Sequence, residues 1–282
     1  MERLLEHCTL CPRRCGVNRA AGERGCCGAG ETVRVARAAL HPWEEPCISG
    51  SRGSGTVFFS HCTLGCVFCQ NAPLSREGAG LEIGTGRLGE IFLELQAQGA
   101  HNINLVTPTH YVPQILEAVA LARADGLRIP FVYNCGGYEL PETVALLDGT
   151  VDLWLPDFKY AQSRPAARYS AAADYPERAL EAIEAMVRQT GAPRFGPDGL
   201  LQKGVLVRHL LLPGQTADAR AVVEYLYHTY GDRIWISLMN QYTPFPRLAG
   251  RFPELCRRVT KREYHALVDY ALELGVENGF IQ

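Results

Sequence analysis

Gly55-Thr56-Val57-Phe58-Phe59-Ser60-His61-Cys62-Thr63-Leu64-Gly65-Cys66-Val67-Phe68-Cys69-Gln70-Asn71 is the stretch on which the fold turns. Its first six residues, 55–60, are β-branched and aromatic enough to form a buried strand. The residues that follow place three thiols, spaced Cys-x3-Cys-x2-Cys, around one short loop at the strand's exit, where Gly65 permits tight wrapping. In open α/β sheets and barrels ligands sit at the carboxyl ends of strands, so chemistry is expected in this loop. Three thiolates hold three irons of a cubane [4Fe–4S] cluster and leave the fourth without a protein ligand. An open position on a bound metal is where a substrate or cofactor binds. The alternative is a structural zinc knuckle, which favours paired Cys-x2-Cys hooks and needs a closed shell of four ligands.

On either side of this stretch the chain alternates short apolar runs with amphipathic segments, the pattern of βα units and a mostly parallel sheet. Strands are expected at 55–60, 103–107, 130–134, 151–156, 205–211 and 234–238. Helices are expected at 88–98, 113–124, 141–147, 175–189 and 217–230. A last helix, 261–274, has Thr260 as its N-cap and stops at Gly275. Residues 1–50 are rich in Cys, Arg and Gly and read as a loop-rich cap, 51–245 as the main α/β body, and 246–282 as a C-terminal extension. Patterning alone leaves an open doubly wound sheet and an incomplete barrel both standing. The string Gly84-Thr85-Gly86-Arg87-Leu88-Gly89 matches a dinucleotide fingerprint, but no convincing strand leads into it and no acidic residue lies about 20 positions on.

The length of 282 residues suits one large barrel or about two average domains. With 47% apolar and 21% charged residues and a net charge of −2, neither nucleic acid nor an acidic membrane is an expected partner. No apolar run approaches the ~18 residues of a membrane span and the N-terminus lacks a signal-peptide pattern, so a cytoplasmic protein is expected. The anomaly is 11 cysteines. In a reducing compartment such numbers indicate metal binding or catalysis rather than disulfides.

The loop Cys62-x3-Cys66-x2-Cys69, with Phe68 before its last cysteine, resembles the cluster motif of the radical S-adenosylmethionine (radical SAM) superfamily. The wider stretch Glu44-Glu45-Pro46-Cys47-Ile48-Ser49-Gly50, with Gly53–Ser60 and Cys69-Gln70-Asn71, is similar to the pyruvate formate-lyase activating enzyme-like branch. The resemblance implies an α/β fold: an incomplete (βα)6 radical SAM barrel with a small Cys-rich N-terminal cap and a C-terminal helix. It implies a [4Fe–4S] cluster on Cys62, Cys66 and Cys69, with S-adenosyl-L-methionine chelating the fourth iron. Reductive cleavage to a 5′-deoxyadenosyl radical would then serve hydrogen abstraction, with a glycyl radical enzyme as one substrate and a flavodoxin- or ferredoxin-type protein as reductant. Phe68 is expected to face the adenine.

Other strand exits carry polar groups. Asp157 and Lys159, at i and i+2, share a face, and their D-x-K pattern resembles the pair that activating enzymes place near cofactor and substrate, a catalytic assignment. Only three of the 28 basic residues are lysines, which makes Lys159 informative. Asn134 precedes Cys135-Gly136-Gly137, where the family carries a glycine-rich turn. The second strand's exit, Thr107-Pro108-Thr109-His110, departs from the family's Gly-Gly-Glu turn, and Thr107, Thr109 or His110 would supply the replacement hydrogen bonds. Arg208 and Pro213-Gly214 resemble the family's Arg-x4-Pro-Gly turn, making Arg208 a candidate for the cofactor carboxylate or ribose, with His209 facing the opposite way. Asn240 is a candidate ribose contact.

Cys8, Cys11, Cys15, Cys26 and Cys27 offer a second metal site in the cap, zinc or iron–sulfur, with Cys8, Cys11, Cys15 and Cys26 as the candidate ligands. Arg13, Arg14, Arg19 and Arg24 among them favour thiolates and suit an acidic electron donor. The competing class is a zinc-stapled or iron–sulfur binding or electron-transfer protein without radical chemistry.

Overall fold

The computed structural model describes residues 3–282. One ten-stranded sheet organises it: β1 (Val33–His41), β2 (Ser54–Phe59), β3 (Leu81–Ile83), β4 (Ile103–Val106), β5 (Phe131–Cys135), β6 (Leu153–Pro156), β7 (Arg194–Phe195), β8 (Leu201–Leu210), β9 (Trp235–Met239) and β10 (Gly279–Ile281). Their order is β10-β9-β8-β6-β5-β4-β2-β1-β3, with β7 on the side of β8. The run from β2 through β4, β5, β6, β8 and β9 to β10 is parallel, whereas β1 pairs antiparallel with β2 and β3, and β7 with β8. The sheet stays open between β3 and β10, which makes it the expected partial barrel.

The helices are α1 (Arg3–Glu6), α2 (Pro46–Ser49), α3 (Ala72–Ser75), α4 (Thr85–Ala97), α5 (Val112–Ala124), α6 (Pro141–Leu146), α7 (Ser163–Ser170), α8 (Tyr175–Thr190), α9 (Thr216–Tyr230) and α10 (Lys261–Leu274). All six expected strands and all six expected helices are present. α10 begins with a capping box between Thr260 and Glu263 and ends at Gly275 in a left-handed conformation, which releases the chain toward β10.

Three departures from the sequence reading matter. Residues 33–41, expected to lie in a loop-rich segment, form a full strand of the main sheet. The C-terminal segment adds β10 beside β9. And a short strand, β3, does lead into the Gly84–Gly89 string, but it is an edge strand paired antiparallel with β1, and Gly84 and Gly86 face open space.

Alternation along the strands divides the core. Tyr133, Trp154, Val205 and Val207 turn outward to pack with α8 and α9, while Val57, Phe59, Ile103 and Leu105 pack with α4 and α5. On the inner face, Val132, Leu153, Leu155, Leu201 and Leu206 enclose Cys47 and Ile48 of α2. That short helix is a plug. The Asn102 side chain donates to the Ile48 carbonyl at 2.8 Å and holds it in place.

Candidate active site at the carboxyl ends of the strands

β2 ends at Phe59, and the chain enters the thiol loop through His61, whose φ of 75° is left-handed. The loop's backbone docks on the end of α7: the N–H groups of Gly65 and Val67 donate to the carbonyls of Ser170 (3.2 Å) and Tyr169 (2.8 Å). Each thiol meets one polar neighbour. The Leu64 N–H donates to Cys62 Sγ at 3.4 Å, Ser170 Oγ lies 3.0 Å from Cys66 Sγ, and Ser75 Oγ lies 3.3 Å from Cys69 Sγ. All three cysteines are half-buried. Burial, reinforced by the neighbouring Cys66 sulfur, pushes the Cys62 thiol up to about 12, so deprotonation there depends on a bound cation.

The polar groups of β5, β6 and β8 converge on the same inner face, above the α2 plug. Asp157 forms an ion pair with Lys159 and accepts from Arg208 Nε at 3.0 Å. Arg208 also reaches Glu44 Oε2 (3.3 Å) and Asn134 Oδ1 (2.6 Å). Burial alone would raise the Asp157 carboxyl, but Lys159 and Arg208 outweigh it and hold it below its ordinary value. Glu44 has one cation, Arg208, against burial and the nearby Glu45 and Asp157, so its carboxyl is raised. Lys159 is also within electrostatic reach of Cys66, which links this network to the thiol loop.

Tyr175, at the start of α8, fixes the Asp157–Lys159 turn. Its hydroxyl accepts from the Lys159 N–H (2.9 Å) and lies 2.8 Å and 2.7 Å from the carbonyls of Gly136 and Asp157. Gly137 is required beside it: at φ 78° a Cβ there would sit 2.1 Å from the Asp157 carbonyl oxygen.

The remaining candidates separate by position. Thr109 donates to Glu139 at 2.7 Å and His110 Nε2 to the Ser60 carbonyl at 2.8 Å, so both are buried and engaged away from the inner face. Thr107 is half-buried at the exit of β4, held left-handed at φ 58° with its N–H on the Asn134 carbonyl (2.8 Å). Phe68 is buried, edge-on to Tyr242 at 6.2 Å between ring centroids. Asn240 is exposed, with its backbone tied to Gln282 at 3.0 Å. Neither enters the ion-pair network. His209 does point away from Arg208, donating from Nδ1 to the Phe158 carbonyl at 2.7 Å. Glu44, Ser170, Ser75 and Tyr175 went unassigned from sequence. Only Glu44 lay in a quoted motif, without a role.

Strain marks the same region. Among the described residues the four non-glycine residues with positive φ are Arg14, His61, Thr107 and Ala171. His61 precedes Cys62, Ala171 follows the serine beside Cys66, Thr107 ends β4, and Arg14 lies between Cys11 and Cys15. A β-branched or bulky residue in this conformation costs on the order of 1–3 kcal/mol and persists where surrounding structure enforces it, commonly at functional sites.

The donor set fits a multi-iron cluster. Three thiols from one eight-residue loop, Cys62, Cys66 and Cys69, match the three protein ligands of a cubane whose fourth iron stays open. Ligand bonds of ~2.3 Å to a single zinc bring sulfurs within roughly 4 Å of each other, whereas a cubane spreads its thiolates over separate irons. Polar capacity is left over on the inner face, as an ammonium-bearing ligand would require: Glu45 Oε2 is buried there without a hydrogen-bond partner.

Comparisons with known proteins agree with this geometry. A protein of Methanocaldococcus jannaschii described as uncharacterized is 26% identical over 283 aligned residues, covering 97% of this chain and 75% of its own. Among solved structures, Streptococcus suis SuiB superposes with a TM-score of 0.53 at 14% identity over 79% of this chain, and a second SuiB structure holds the precursor peptide SuiA. HydG, a maturase of the [FeFe]-hydrogenase, superposes with a TM-score of 0.52 at 13% identity over 78% of this chain. The chain spans about half the length of these solved proteins, 47% of SuiB and 49% of HydG. At such identities the likeness is one of fold. No helix among the described residues is long and apolar enough to cross a membrane. The model of the Radical SAM superfamily matches residues 56–226, more than half of the sequence and inclusive of the thiol loop and every parallel strand from β2 to β8. The chain therefore belongs to the radical SAM superfamily, which implies a [4Fe–4S] cluster and S-adenosylmethionine as its cofactors.

Proposed function

We propose that Cys62, Cys66 and Cys69 hold the [4Fe–4S] cluster, and that the chain uses it to initiate hydrogen abstraction from a substrate on the inner face of the partial barrel. The observation that carries this reading is the three-thiol loop at the exit of β2, with an N–H or hydroxyl beside each sulfur. When bound, the cluster and S-adenosylmethionine supply a 5′-deoxyadenosyl radical on one-electron reduction.

The protein's part is to bind, orient and exclude water. The Leu64 amide and the Ser170 and Ser75 hydroxyls support thiolate charge on the three cysteines. Asp157 holds Lys159 beside the thiol loop, leaving an ammonium with N–H groups to spare for a carboxylate or substrate oxygen. Asn134 and Glu44 hold the Arg208 guanidinium in one orientation, so that Arg208 acts as a fixed positive field toward the cofactor's carboxylate or ribose. Thr107 takes the place of the Gly-Gly-Glu turn, because Thr109 and His110 are engaged elsewhere. Phe68 lies next to the last cluster ligand as the adenine neighbour, and Asn240 approaches from the exit of β9.

The finer assignment, a pyruvate formate-lyase activating enzyme-like oxidoreductase that places a radical on a glycine of a partner enzyme, rests on the Glu44–Gly50 and Cys69–Asn71 stretches. In this reading the chain works in the cytoplasm with a flavodoxin- or ferredoxin-type reductant. Cys8, Cys11 and Cys15, with a fourth thiol, form a second metal site in the N-terminal segment, zinc or iron–sulfur.

Anaerobic reconstitution with iron and sulfide, reduction, and addition of S-adenosylmethionine tests the central claim. 5′-Deoxyadenosine is the expected product. Intact S-adenosylmethionine over a fully assembled, reduced cluster would refute it.

A further inference from the structure

The N-terminal segment contains a buried cation with no carboxylate to match it. Arg19 is 1% exposed, and its guanidinium donates to the carbonyls of Gly30 (3.0 Å) and His110 (2.6 Å) and, from Nη1, to Cys8 Sγ (4.0 Å). Among the described residues it makes no ion pair with an acid. A buried charge without a counter-charge is costly; the Tyr111 ring, 5.7 Å from the Arg19 Cζ, offsets part of that cost, and thiols, Cys8 and Cys27, lie beside the same guanidinium.

Four of the segment's thiols are withdrawn from solvent. Cys8 and Cys11 are buried and Cys15 and Cys27 half-buried, whereas Cys26 is exposed. The Cys8 N–H on Val17 O and the Gly16 N–H on Cys8 O, both 3.0 Å, fold residues 8–17 into a closed loop. Cys15 and Cys27 are each followed by a glycine of positive φ, Gly16 at 68° and Gly28 at 82°, which turns the chain behind the sulfur. Gly25 packs so closely on Cys15 that a Cβ there would lie 2.2 Å from its sulfur, which carries residues 25–28 onto the loop. The amide of Arg13 serves Cys11 and that of Ala29 serves Cys27, each two residues on. Cys27 lies within electrostatic reach of Cys8, Cys15 and Arg19, and Cys11 within reach of Cys8 and Cys27.

We propose that Cys8, Cys11, Cys15 and Cys27 ligate a second [4Fe–4S] cluster whose net negative charge is matched by Arg19. This deepens the reading of the N-terminal thiols as a metal site and rests on it, and it replaces Cys26 by Cys27 as the fourth ligand. Zinc is disfavoured because three of the four thiols crowd one loop, Cys8-x2-Cys11-x3-Cys15, instead of forming the two paired Cys-x2-Cys hooks of a structural zinc site. Four thiolates outweigh the charge of an iron–sulfur core, so the assembled centre supplies the anion that Arg19 lacks. Arg13, between Cys11 and Cys15, donates to the carbonyl of Thr63 at 3.1 Å, so the second cluster adjoins the first cluster's loop at Cys62.

The test is metal and sulfide analysis of the full chain after anaerobic reconstitution with iron, sulfide and competing zinc. Wild type is expected to hold about eight iron, and the Cys62→Ala/Cys66→Ala/Cys69→Ala variant about four with about four sulfide. Within that triple variant, Cys27→Ser loses the iron and Cys26→Ser keeps it. If the triple variant does not fold, the wild-type count alone decides, about eight against about four. One zinc and no iron in the triple variant overturns the cluster but keeps a metal site, and no metal at all overturns both. Iron that survives Cys27→Ser but not Cys26→Ser overturns the ligand set. None of these readouts depends on S-adenosylmethionine cleavage.

Discussion

The two ends of the parallel strands are built from opposite materials. Toward their amino ends the inner face of β5, β6 and β8 is apolar: Cys47 and Ile48 of α2 lie among Val132, Leu153, Leu155, Leu201 and Leu206. Along the same strands one or two alternations further on, the face becomes Asn134, Asp157 and Arg208, with Glu44 reaching in from the chain just before the plug. The contrast separates stability from chemistry. An apolar plug is held by burial and tolerates changes that keep its volume, whereas the ion network stores charge out of water and is kept only because each member has its partners. The strained residues His61, Thr107 and Ala171 all belong to the carboxyl-end half.

The largest expected effect breaks the carboxyl end alone. Cys62→Ala, Cys66→Ala or Cys69→Ala should abolish 5′-deoxyadenosine formation, with urea stability of the metal-free chain changed by less than about 1 kcal/mol because these half-buried thiols contribute little packing. Cleavage that survives in any one of them would remove that cysteine from the cluster.

Asp157→Asn comes next and should damage both properties. It leaves Lys159 and Arg208 buried with a single carboxylate, Glu44, between them. Removing one partner from such a network costs about 3–5 kcal/mol, read as a lowered urea midpoint, and a fall in cofactor cleavage per folded molecule should accompany it. Unchanged stability would mean that the network is solvated rather than buried.

Ile48→Ala breaks the opposite end. Deleting a fully buried isoleucine side chain costs about 2–5 kcal/mol, while cofactor cleavage per folded molecule should stay at the wild-type level. An equal loss of activity would show that the plug also shapes the site.

How much of this was legible in the sequence follows from the range over which each signal acts. The parallel strands and long helices were readable because their periodicities run for several residues. β1 was not, because a bulge between Val35 and Arg37 breaks its alternation, Arg37 and Ala38 are exposed, and Ala39–His41 are only half-buried. β3, β7 and β10, at three, two and three residues, are too short to carry a period. The thiol loop was legible because all its ligands lie within eight residues. The partnership of Glu44 with Arg208 spans 164 residues, and that of Cys66 with Ser170 spans 104, so only the folded chain reveals them. Cys26 and Cys27 are neighbours with identical chemistry, and only the folded chain, which leaves Cys26 exposed and half-buries Cys27, tells them apart.

The smallest effect sharpens the comparison by crossing the sheet, from the inner face at Arg208 to the outer face at His209. His209 is 2% exposed; its Nδ1 must be the protonated nitrogen, since its partner is a carbonyl, and Nε2 is buried with no partner. Burial lowers its pKa from 6.5 to about 4. The folded state therefore keeps the ring neutral where the unfolded chain protonates it. Stability supplied by the neutral ring is complete above pH 6.5, is lost as the pH falls toward 4, and amounts to about 2–3 kcal/mol. Asp157, whose pKa is also depressed, and His110 lose stability over the acid range in both proteins, so only the difference between wild type and variant isolates His209. His209→Asn retains an N–H for the Phe158 carbonyl without a titrating ring. Urea midpoints measured from pH 7 to pH 4 should fall more steeply in wild type than in the variant, and parallel curves would mean that the ring takes up its proton without leaving the folded state.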